Sequence, residues 1–324
     1  MRTPQGDGTR RLPSNVVRRA ITLVVILVLL SRLPAFAAHN AGMVSFGSAS
    51  LGHQVPAAPA ERWYQLAVDL DPTLAKPYWW LGQMARARDD SVGALPHWSR
   101  VSSAGSRLLA QCVLEWKTGQ PRSQVEDCLR AVLELSPNMA AAYFWAGHVS
   151  SELGDYDRAI DLLERGRELA PDDCQLAAKL AKAYWQRGDH ERAMEVAVQA
   201  SRLPEVSEEP YLIMAEYATR VQKDERAGRQ YYERAIQINA QSEVAWAGLG
   251  SIALEQGDYS SAADAYYRVL RSNPGNASAY RALGLALRNL GYFDDADAAF
   301  GAASRLSTRF SERGGVGEAL NGVP

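Results

Sequence analysis

The chain has 324 residues, with 35 Lys and Arg against 37 Asp and Glu, for a formal net charge of −2. That balance argues against a nucleic-acid binder, which needs a clustered basic surface. Three cysteines with no CxxC or Cys/His spacing offer no metal site. Ala, Leu, Arg and Glu dominate while the turns carry Gly and Pro, which predicts an all-α protein.

Residues 1–19 form a basic segment, with Arg2, Arg10, Arg11, Arg18 and Arg19 against Asp7 alone. Residues 20–30 (AITLVVILVLL) are apolar apart from Thr22, and Ser31-Arg32-Leu33-Pro34 interrupts the run before Ala35-Phe36-Ala37-Ala38. Two readings stay open for residues 20–38. One is a transmembrane signal anchor with Arg32 snorkelling to the outer interface. The other is a signal peptide cleaved near Ala37. Both leave the arginines in the cytoplasm and everything after the run outside. Residues 39–59 read as a transition segment holding one marginal helix within 41–51, weakened by Gly47 and Gly52.

From residue 60 to 308 the chain repeats itself. A helix from Ala60 to Leu70 closes a partial unit, and whole units start near 75, 106, 140, 174, 209, 243 and 277. The clearest runs from Glu243 to Asn276. Trp246, Leu249, Gly250 and Ala253 share one helical face, Gln256-Gly257-Asp258 breaks the helix, and Ala262, Tyr266 and Val269 mark a second helix. Pro137 and Pro171 stand 34 residues apart, at the same phase. One hairpin of this kind has two apolar faces and a single partner helix, so copies must stack to bury both. Pro96 lies inside one second helix, which should therefore be short, and near its start. Cys112 and Cys128 fall on the two helices of one unit. A disulfide is geometrically conceivable there, but two buried free thiols are the preferred reading. The last helix is expected over Asp294–Leu306, and the polar, glycine-rich residues 309–324 read as a disordered tail.

These residues and this period make the chain resemble the tetratricopeptide repeat (TPR) family, of a bacterial membrane-associated or exported type. The resemblance implies a right-handed α-solenoid of stacked TPR hairpins, preceded here by an N-terminal hydrophobic helix. It implies a non-catalytic scaffold for protein–protein interaction, with first helices lining a concave groove. The family's groove positions map onto Lys76, Trp79, Gln83, Arg86, Arg107, Lys117, Phe144, His148, Lys182, Trp185, Tyr217, Arg220, Arg281 and Arg288. Eight of the 28 mapped positions are Lys or Arg and none is acidic, so an extended acidic protein or peptide segment with apolar anchors is the expected partner. No cofactor, metal, nucleic acid or small-molecule substrate is expected. The expected location is the bacterial cell membrane, single-pass, with the array outside, or export after cleavage near Ala37. A second reading by analogy is an accessory subunit of a membrane enzyme complex for envelope polysaccharide or glycan assembly. No pair of histidines has metal-ligand spacing, and no nucleophile motif or phosphate loop occurs. The paired acids Asp89-Asp90, Asp172-Asp173 and Asp294-Asp295 sit at turns or helix starts, where they cap helices.

Overall fold

The protein is described here by a computed structural model covering residues 32–43, 57–88 and 90–318, with side chains over 32–43, 60–88 and 90–307. The described residues are helices and turns, without strands. They form two units, divided between Pro137 and Asn138. The basic segment, the apolar run of residues 20–30 and Asp89 lie outside the described residues.

The first unit holds three hairpins. Its helices are α1 (residues 32–43), α2 (Ala57–Leu70), α3 (Ala75–Arg86), α4 (Ser91–Trp98), α5 (Ala104–Lys117) and α6 (Arg122–Leu135). The sequence reading put a marginal helix within 41–51, of which residues 44–51 lie outside the described residues. The described helical residues are 32–43 and include 32–38, which the sequence grouped with the apolar segment. The reason is a small-residue face. Ala35, Ala38, His39 and Gly42 recur at helical spacing and are buried. A Cβ at Gly42 would stand 2.6 Å from the Tyr64 ring, so only glycine lets α1 lie this close to α2. Arg32 reaches Asp71 at 3.4 Å, joining the start of α1 to the end of α2.

The next hairpin repeats the device with a larger plug. Trp98 is fully buried, a Cβ at Gly82 would stand 2.3 Å from its Nε1, and its indole N–H donates to the Trp79 carbonyl at 3.3 Å. Helix α4 has only eight residues, as its proline predicted. Pro96, however, is sixth in that helix, past its first turn, and the helix ends two residues later. Asp90 caps it by accepting the Gly93 N–H at 2.7 Å. In the third hairpin Cys112 and Cys128 are joined by a disulfide, with Cα atoms 5.7 Å apart, so the free-thiol reading is overturned for this pair. Helix packing brings the two Cβ atoms face to face within bonding range, which sequence separation alone does not show. Cys174 is free and buried.

The second unit holds five hairpins: α7 (Ala140–Glu152) with α8 (Tyr156–Leu169), α9 (Cys174–Arg187) with α10 (His190–Ala200), α11 (Glu209–Glu216) with α12 (Glu225–Ile238), α13 (Glu243–Glu255) with α14 (Tyr259–Ser272), and α15 (Ala277–Asn289) with α16 (Phe293–Glu318). Aspartates cap the second helices at their first turns, as Asp155, Asp189, Asp224 and Asp258 accept N–H groups from Arg158, Arg192, Ala227 and Ser261. Asp173 caps α9 in the same way, while Asp294 and Asp295 lie in the first turn of α16. Helix α16 continues twelve residues beyond the Leu306 end expected from sequence, to Glu318. The three glycines of this stretch, at 314, 315 and 317, cost about 1 kcal/mol each relative to alanine and do not end a helix by themselves.

Most hairpin turns are closed by a glycine with positive φ: Gly119, Gly154, Gly188, Gly257 and Gly291. Lys223 stands in that series at φ 58, where a side chain is strained. Just before it, Tyr217–Gln222 is a π-helical turn that continues α11. Lys223→Gly should raise the unfolding free energy by about 1 kcal/mol, because the strain of a side chain in the left-handed region is removed. Urea titration of the two proteins checks this.

Candidate functional site

Within the first unit, Lys76, Trp79, Gln83 and Arg86 lie along α3, and Arg107 lies on the first turn of α5. Trp79 is nearly buried, packed on Trp98 with ring centroids 6.1 Å apart. The Arg107 guanidinium lies 3.9 Å from the Trp79 ring centroid, a cation–π contact that holds the charge in place. A hollow of about 230 Å³ is lined by His39, Met43, Lys76, Trp79, Trp80 and Arg107, with no carboxylate in its wall. Trp79 and Trp80 also line a second hollow of about 540 Å³, with Gln83, Met84, Ala87, Arg88 and Gln111. A third, of about 340 Å³, shares Gln83, Ala87 and Gln111 and adds Arg86, Ser91, Glu115, Gln124 and Asp127. These shared walls set the three hollows side by side as one candidate groove, from a cationic end past Trp79 and Trp80 to a polar end.

Two of the residues picked from the sequence are already engaged. Arg86 makes a bidentate pair with Glu115, at 2.6 and 3.1 Å, and both side chains are nearly buried. Gln83 donates to Gln111 Oε1 at 3.0 Å, and Gln111 donates to Glu115 Oε1 at 3.0 Å. Arg86 is thus a neutralised strut between α3 and α5. Lys117 is exposed in the last turn of α5. His39 was missed. It is 8 % exposed, its Nδ1 has no hydrogen-bond partner, and burial together with the Lys76 charge pushes its pKa down. The sequence places it in the transition segment 39–59, so its place in the groove wall had no sequence signal.

In the second unit, Phe144 and His148 stack on α7 at 6.4 Å, and burial lowers the His148 pKa. Lys182 faces Glu152 at 3.9 Å, and Trp185 packs on His190 at 4.2 Å. Tyr217 opens the π turn, and Arg220 within it is exposed. A hollow of about 490 Å³ beside that turn is lined by Arg220 and Lys223, but also by Glu216, Glu225, Glu243 and Glu255. The freedom from acidic groups read off helical spacing therefore does not extend to this place. Glu243 is further tied down by Asn273 and Asn276, whose amides donate to it. Arg281 and Arg288 stand exposed on α15. Among the described residues no group of His, Cys, Asp and Glu is arranged to hold a metal ion.

Residues 126–182 and 151–203 match one family model described as a tetratricopeptide repeat, and residues 245–307 match a second with the same description. A TPR repeat-containing protein of Methanocaldococcus jannaschii is 27 % identical over 168 residues, which are 49 % of this chain and 30 % of that protein. The matched stretch is thus under a third of the relative's length. Among solved structures, Pseudomonas aeruginosa pilF aligns with a TM-score of 0.56 at 15 % identity, covering 62 % of this chain and 91 % of its own. PilW, described as a widely conserved type IV pilus biogenesis factor, aligns at 0.55 and 14 %, covering 65 % and 96 %. At these identities the likeness is one of fold. Proteins of this repeat mediate protein–protein interaction and bind peptides. Period, hairpin geometry and family matches converge on a likeness to tetratricopeptide repeats over residues 126–203 and 245–307.

Proposed function

We propose that the protein is a non-catalytic scaffold that binds an extended, acidic partner segment outside the cytoplasmic membrane of a bacterium. One observation carries the choice of partner. Lys76 and Arg107 flank the nearly buried Trp79 in a hollow with no carboxylate in its wall. A cationic end beside an aromatic floor fits a carboxylate next to an apolar side chain. The acidic preference is assigned to this groove, because the hollow beside Arg220 carries four glutamates of its own. Placement outside the cytoplasm is supported by the apolar run after a basic start and by the Cys112–Cys128 disulfide, which persists in oxidising compartments.

The test is selection from a random peptide library displayed on phage. The wild-type chain should enrich Asp or Glu beside Leu, Phe or Tyr. Lys76→Glu with Arg107→Glu should weaken the selected peptides roughly tenfold or more, since charge-assisted contacts contribute on the order of 1.5–3 kcal/mol each. Enrichment that ignores charge, or binding unchanged in the double variant, would sink the reading.

A further inference from the structure

The end of a repeat array is ordinarily polar, because no neighbour covers it. The first hairpin here is different. On α2, Trp63, Leu66 and Leu70 follow one another at helical spacing and are 42, 41 and 49 % exposed. On α1, Leu33 and Phe36 are 57 and 49 % exposed. The corresponding residues of α6 are Cys128, Ala131 and Leu135, which are buried or half-buried in a hairpin that has α4 beside it. Helix α2 also carries Glu61, Arg62, Gln65 and Asp69, of which Arg62 and Asp69 border Leu66 on the helix surface.

What covers the apolar side is indicated by the chain just before it. The apolar run of residues 20–30 ends one residue short of Arg32, the first described residue of α1. Helix α1 itself belongs to the hairpin, since Ala35 and Ala38 are 0 and 3 % exposed and Arg32 pairs with Asp71. With residues 20–30 read as a retained anchor, the hairpin follows that anchor directly. The apolar run itself has 11 residues, fewer than the about 20 of a full helical span. A short span draws its flanking residues toward the bilayer. An apolar helix face seats about 5–10 Å deep at the headgroup boundary.

We propose that the first hairpin is a lipid-facing platform, with Leu33, Phe36, Trp63, Leu66 and Leu70 lying in the interfacial layer of the bilayer. The proposal rests on reading residues 20–30 as a retained membrane anchor. The repeats then begin at the membrane surface itself, with no free tether between.

The test uses the full chain in vesicles of phosphatidylcholine and phosphatidylglycerol, with plain or brominated acyl chains. Brominated lipid should quench tryptophan emission, and Trp63→Phe should remove at least half of that quenching. Leu66→Asp with Leu70→Asp should abolish the Trp63 quenching while the chain still resists carbonate extraction. If the anchored wild-type chain shows no Trp63 quenching, the platform is refuted and the anchor stands. The platform is refuted in the same way if light scattering shows a dimer whose Trp63 is shielded without lipid, because a second copy then covers the face. Carbonate extraction of the wild type, or a mature N-terminus after Ala37 by mass spectrometry, refutes anchor and platform together.

Discussion

Trp98→Ala should lower the unfolding free energy of the first unit by about 3–5 kcal/mol, the range for emptying a large aromatic site. Trp98 is fully buried, and its indole lies where a Cβ of Gly82 would otherwise stand. The glycine leaves a recess that only this ring fills. Alanine would leave most of it empty. The indole N–H also satisfies the Trp79 carbonyl, which would lose that donor. A functional loss should accompany the instability, because Trp79 is the groove floor and packs directly on Trp98. Guanidinium titration measures the first effect and peptide affinity at low denaturant the second. Trp98→Phe separates them, since it restores most of the volume without the N–H. A loss under about 1 kcal/mol for the alanine variant would show that the crossing collapses around the gap.

The second large effect concerns the disulfide. Cys112→Ala with Cys128→Ala should cost about 3 kcal/mol, as expected when a closed loop of about 16 residues is freed in the unfolded chain. Both sulfur atoms lie in the interior of the hairpin, where alanine fits without a clash but leaves a small void. Reductant should lower the melting temperature of the wild type and leave the double variant unmoved. Equal melting of the wild type with and without reductant would remove the stabilising role. The single variant Cys112→Ala tests the bond from the other side. It leaves a thiol at Cys128, and mass spectrometry should then detect one alkylatable group more than in the wild type.

Much of the fold is legible because its rules are local. The glycine of one helix and the bulky residue of the next recur at a constant offset, as in Gly82 with Trp98 and Gly147 with Leu163. A reader of sequence sees both partners within one repeat. The misses have a common physical form. Arg86 looks like a free groove cation because its neighbours on α3 are uncharged, yet Glu115, 29 residues on, neutralises it across the helix pair. Helical spacing is blind to such cross-helix partners. The acidic neighbours of Arg220 are hidden for a related reason. Counting 3.6 residues per turn through Tyr217–Gln222 fails where the backbone bonds i→i+5, and the acids of α13 come from the next hairpin. Helix α1 was hidden because its small-residue face is embedded in a segment whose overall apolarity points to a membrane. The disulfide needs a distance, and no spacing in sequence supplies one.

The turn at Lys223 has a consequence for how the chain opens. Its neighbours along the chain are closed by glycines that adopt positive φ without strain, whereas this one is held by a lysine next to six residues of π-helix. Local free energy of opening should be lowest there. Amide protons of residues 217–224 should exchange with solvent before those of any other hairpin turn in the second unit, and a protease at native concentrations of denaturant should make its first cut in the same place. A chain built from near-identical hairpins is thus given a preferred point of entry by one residue.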